Sequence, residues 1–141
     1  MTFVFSINCT EAKTINVCPN CTIKTIKIAI TSATPYDTIL LQKGTYKEHE
    51  LIIDKPLTLK GQKESIIDGE EKGNILLVDA NYVTISGVTF INVGSSYTED
   101  FAAIKLRRTR YCRVENNYLE KCIFRCGIGK IKVCHHKRQP Y

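Results

Sequence analysis

The chain has 141 residues, 43% of them hydrophobic, which is enough for one domain with a packed core. No run of about 18 apolar residues occurs, so a membrane-spanning helix is excluded. The formal charge of +6 implies no basic face and no nucleic-acid partner, because Arg125, Lys130, Lys132, Lys137 and Arg138 all follow Ile123 in a stretch without acids, and the rest is close to neutral.

Residues 1–12 open with a short apolar stretch, Met1–Ser6, and read either as the remnant of a secretion signal or as a loose terminus. Lys13–Val17 alternates as a first strand. Cys18-Pro19-Asn20-Cys21 follows and is the one cysteine pair at a chemical spacing. The seven cysteines are odd in number and unevenly spread, which does not suggest a disulfide framework. Thr25–Ala33 has a different period: Ile26, Ala29, Ile30 and Ala33 share one face of a short amphipathic helix, which ends at Pro35-Tyr36-Asp37. Thr38–Leu41 then alternates again, with Ile39 and Leu41 inward, and Gly44–His49 turns into the first of three related segments.

The reference segment is Asn74–Gly94, with Ile75, Leu77, Val83 and Ile85 as its apolar positions. Moving back 26 residues gives His49, Leu51, Leu57 and Leu59; moving forward 29 gives Ile104, Leu106, Cys112 and Val114. Only His49 breaks an apolar column. Gly61, Gly87 and Asn116 align in a turn column, and Phe90 aligns with Leu119. Spacing of two places these side chains on one face of a strand, and a repeat of this length marks a solenoid whose copies bury their apolar sides only by stacking. The expected fold is therefore all-β, a right-handed parallel β-helix over residues 13–122, with the short N-terminal helix capping its open end. The third copy carries an inserted loop, Ser95–Asp100, which accounts for its longer step.

The strings VCPNC, TIKTIKIAI, DTILLQKGTYKEHELIIDKPLTLKG and NVGSSYTEDFAAIKL resemble the N-terminal part of the NosD family. That resemblance implies a periplasmic accessory protein, not an enzyme, which helps assemble the copper–sulfide centre of nitrous oxide reductase alongside an ABC-type transporter. Within it, Cys18 and Cys21 are candidate thiolate ligands for copper, with His49 as a third donor, because copper(I) favours thiolate and imidazole. The competing readings of the pair are a disulfide in an oxidising compartment or simple packing. His49 is either a core histidine or one turned outward at the first coil.

The rival class on the same scaffold is a carbohydrate-binding protein or a polysaccharide-active enzyme: a lyase, hydrolase or epimerase. An enzyme of this kind needs acids clustered across neighbouring coils. Asp54, Asp68 and Asp79 read as falling at different positions of the repeat, and Tyr46, Tyr82, Tyr97 and Tyr118 as too scattered to form an aromatic platform. After Cys122 the repeat stops, and residues 123–141 form a basic tail containing Cys126, Cys134, His135 and His136. A one-base shift in one permitted set of codons turns this tail into a coil-like string, so the expectation is a frameshift product without function. The uncapped strand edge left behind would then favour self-association.

Overall fold

The computed structural model describes residues 11–99, 101–119 and 132–133. Its architecture is the expected parallel β-helix. Three parallel sheets run along it, and three successive coils each contribute one strand to every sheet in turn. The first sheet stacks β1 (Thr14–Val17), β2 (Thr38–Leu41), β5 (Thr58–Gly61), β8 (Thr84–Ser86), β11 (Arg113–Glu115) and β13 (Lys132–Val133). The second stacks β3 (Gly44–Lys47), β6 (Ser65–Asp68), β9 (Thr89–Ile91) and β12 (Tyr118–Leu119). The third stacks β4 (Leu51–Ile53), β7 (Leu76–Val78) and β10 (Ile104–Leu106).

Alternation makes this arrangement stable. In the first sheet Ile15, Ile39, Leu59, Ile85 and Val114 lie in one inward column, each paired with the next. Tyr46, Ile67, Phe90 and Leu119 form the column of the second sheet. The third sheet supplies two columns, Leu51–Leu76–Ile104 and Ile53–Val78–Leu106. These side chains join one continuous core. Each fully buried one contributes about 1.5–3 kcal/mol relative to exposure.

Two register expectations need correction. The partners of Leu76 are Leu51 and Ile104, so His49 belongs to no inward column. It is half-buried in the segment between β3 and β4. The slip arises because the turn leading into the first sheet lengthens from coil to coil, from Asp54–Pro56 through Asp79–Tyr82 to Arg107–Tyr111. A constant offset cannot follow that growth. It also hid an alignment: Asp54 and Asp79 occupy the same place, each directly after the paired Ile53 and Val78. Asp68 stands apart, paired with Lys47 and Ile91.

The turn column Gly61–Gly87–Asn116 is present as read. Gly87 and Asn116 have φ of 70° and 56°, and a Cβ on Gly61 would collide with the carbonyl oxygen of Gly87. One position on, Asn117 is buried and bridges coils: its Oδ1 accepts from Val88 N at 3.0 Å and its Nδ2 donates to Ile85 O at 2.9 Å.

Helix α1 (Ile26–Ser32) closes the N-terminal end. Thr25 caps it, Ile26, Ala29 and Ile30 are buried, and Ile26 N and Lys27 N donate to the Glu48 carboxylate at 2.8 and 3.1 Å. The helix exit is fixed by Asp37, which is buried. Its Oδ1 accepts from Lys13 N at 3.0 Å; its Oδ2 accepts from Thr34 N at 2.8 Å and Thr34 Oγ1 at 3.0 Å. Burial alone would push the Asp37 carboxyl up, but these hydrogen bonds and the Lys13 charge outweigh it, and its pKa lies below the ordinary value. No described helix is long and apolar enough to cross a membrane. Of the 123–141 tail only β13 is described, and it adds a rung beside β11. The remainder of the tail, its Cys/His cluster and residues 1–10 lie outside the described residues.

Candidate functional site

The expected metal donors do not assemble. Cys18 and Cys21 form a disulfide across the turn in which Cys21 N donates to Cys18 O at 3.1 Å, so the pair offers no thiolates in this state. Among the described residues no group of three or more His, Cys, Asp or Glu is arranged to hold a metal ion, and the His49 Nδ1 is buried without a hydrogen-bond partner. Cys112 is buried in the core column, as its position suggested.

The feature that does assemble lies on the corner where the third sheet turns into the first. Tyr36, Pro56, Tyr82 and Tyr111 each stand two residues before the mutually paired Thr38, Thr58, Thr84 and Arg113. They therefore occupy one column, repeated at the rung spacing of about 4.8 Å. Tyr36, Tyr82 and Tyr111 are 64%, 54% and 62% exposed, and the rings of Tyr82 and Tyr111 stack with centroids 5.1 Å apart and 10° between planes.

The backbone beneath them is left-handed, as it also is at Glu50, Glu64, Glu70, Glu71, Asn92, Arg108 and Asn116. Tyr36, Tyr82 and Tyr111 all adopt left-handed conformations, with φ of 70°, 57° and 58°. A side chain with a Cβ costs about 1–2 kcal/mol there, and a turn that served shape alone would favour Gly or Asn. Neighbouring coils hold the corner in place through Tyr36 N donating to Pro56 O at 2.7 Å and Tyr82 N to Arg110 O at 3.1 Å. Asn81 Oδ1 accepts from Arg110 N at 2.8 Å, and Lys55 Nζ donates to Ala33 O at 2.8 Å.

The exposed positions directly beside this column carry no acid; Asp37, next to Tyr36, is buried. On one side lie Pro35, Lys55, Asn81 and Arg110; on the other lie the outward, half-buried hydroxyls of Thr38, Thr58 and Thr84, followed by Arg113. Aromatic edges, phenol hydroxyls, threonine hydroxyls and amide or cationic donors thus form one strip along the coil axis. Chemically, such a strip can pack against apolar ring faces and hydrogen-bond a ladder of hydroxyls.

Sequence reasoning missed this platform because it weighed Tyr46, Tyr97 and Tyr118 with Tyr82 and omitted Tyr36 and Tyr111. Tyr46 is a buried core residue whose hydroxyl lies 2.9 Å from Val17 O and 2.8 Å from Gln42 O, and Tyr97 sits on the inserted loop. The signal was available, since Tyr111 follows Tyr82 by the same 29 residues that relate Leu119 to Phe90.

No family model and no curated protein matches the chain, so the resemblance to the NosD family and to copper-centre assembly gains no support. Among solved structures, the chain is similar to the crystal structure of a pectin methylesterase from Aspergillus niger, at 18% identity and a TM-score of 0.44. The likeness covers 85% of this chain and 56% of that one, so this chain spans little more than half of that protein's length. That neighbour is an enzyme, and the expectation that this chain is an accessory protein without catalysis is withdrawn on that finding. At such identity and TM-score the likeness carries no argument about which reaction, if any, this chain performs.

Proposed function

We propose that this β-helix engages a polysaccharide along the tyrosine corner, as part of a carbohydrate-binding or polysaccharide-active protein. One observation carries the reading: three exposed tyrosines in a single column, two of them stacked, each held at a backbone position that disfavours a bulky residue. Strained conformations cluster at active sites and ligand clamps. A column that carries tyrosine on three of four successive coils, with Pro56 on the other, also suits a ligand that is itself a repeat, which is how solenoids present extended binding faces. The Cys18–Cys21 disulfide fits an oxidising compartment, where polysaccharides are met.

The test is affinity electrophoresis of the full chain through gels containing soluble polysaccharides. Wild-type protein is expected to be retarded by at least one of them, and Tyr82→Ala/Tyr111→Ala to run as in the empty gel while keeping its circular dichroism. A wild-type chain retarded by none, or a double variant retarded as strongly as wild type, overturns the proposal.

A further inference from the structure

We infer that the polysaccharide taken by this corner is acidic, its carboxylate or sulfate groups held by Arg108 and Arg110 in the turn that ends at Tyr111; this rests on the polysaccharide reading above. The turn Arg107–Tyr111, Arg-Arg-Thr-Arg-Tyr, is the longest of the equivalent corners. Its middle residue, Thr109, is wholly buried, and its hydroxyl is without a hydrogen-bond partner. Thr109 is drawn inward, and Arg107, Arg108 and Arg110 are all left exposed. Arg108 also has a left-handed φ of 51°, so two of the five residues here are held in disfavoured backbone. A buried hydroxyl without a partner and two strained residues both weigh against stability. What the turn gains is the display of three guanidinium groups.

Those charges are not consumed internally. Among the described residues the ion pairs are Lys43–Glu64 and a loose Arg113–Glu115 contact at 3.8 Å, and neither involves the turn. Arg107 continues the column of Asp54 and Asp79 and, among the described residues, forms no ion pair with them. Guanidinium is the side chain best matched to a planar carboxylate or a sulfate, through two parallel charge-assisted hydrogen bonds. A neutral polymer would leave these cations unused.

The experiment extends the same gels to three polymers: dextran, dextran sulfate and alginate. The last two present sulfate and carboxylate respectively, and dextran shares its backbone with the sulfated form. Wild-type chain is expected to bind one or both acidic polymers about tenfold more tightly than dextran, the gain of about one charge-assisted pair. Arg108→Gln/Arg110→Gln should abolish that preference. Lys24→Gln/Lys72→Gln, which removes equal charge from exposed sites elsewhere, should keep it. Equal binding to dextran and both acidic polymers overturns the inference, as does an equal loss in the arginine and lysine variants, which would reduce it to net charge. If the tyrosine variant loses binding while the arginine variant keeps the acidic preference, this inference fails and the polysaccharide reading stands. If the wild type binds none of the polysaccharides, the reading beneath it fails.

Discussion

The inward columns and the tyrosine corner are both ladders repeated from coil to coil, yet they obey opposite rules. Inside, each position accepts the residue its backbone prefers: β-branched and aliphatic side chains on extended strands, buried and touching the same column above and below. At the corner, bulky aromatics occupy left-handed positions that suit Gly or Asn, and their rings stand exposed. The first ladder is explained by stability. The second is not, and it is this second ladder that the proposed polysaccharide binding engages.

Substitutions should respect that division. The largest effect is expected inside: Ile85→Ala empties a fully buried rung between Leu59 and Val114 and should lower unfolding free energy by about 2–5 kcal/mol in urea titration. Gly61→Ala comes next, because its Cβ meets the backbone of Gly87 and the two coils must separate; a loss of about 1–3 kcal/mol is expected by the same measurement.

Asp37→Asn should cost about 2 kcal/mol, since an amide donor would then face backbone N–H donors. Its pH signature is more specific. The Asp37 pKa is lower in the folded than in the unfolded chain, so its contribution is complete above the ordinary aspartate value and is lost as pH falls through the folded one. Wild-type stability should therefore drop in acid, and the Asn variant should show a flatter profile over that range.

The smallest stability effect is predicted at the corner. Tyr111→Asn gives up a stacking contact of about 0.5–1.5 kcal/mol but relieves a left-handed tyrosine, so stability should stay within about 1 kcal/mol of wild type while polysaccharide retention falls. A loss as large as that of Ile85→Ala would make the ring a structural member and erase the contrast between the two ladders.

Much of the scaffold was legible in the sequence because strand columns advertise themselves by alternation. Leu59, Ile85 and Val114 fall on neighbouring rungs of one sheet, Phe90 aligns with Leu119, and the helix at Thr25–Ala33 lays its apolar face on the core. The column containing His49 was misplaced for a physical reason: corners absorb insertions without disturbing the strands they join, so offsets that hold on one sheet slip on another. The same tolerance hid the Asp54–Asp79 alignment. The tyrosine row escaped notice differently, because exposed residues obey no apolar pattern, and their left-handed φ values cannot be read from composition. The arginine turn was masked by whole-chain charge, which drew attention to the cations after Ile123 and away from Arg107, Arg108 and Arg110.

The central claim is tested most directly by nuclear magnetic resonance of the chain carrying ring-labelled tyrosine, titrated with oligosaccharides of whichever polysaccharide retards it in gels. The account predicts that the ring signals of Tyr82 and Tyr111, with Tyr36, shift together along one binding curve, while the buried Tyr46 stays in place. Saturable binding that leaves the Tyr82 and Tyr111 rings unperturbed would contradict it.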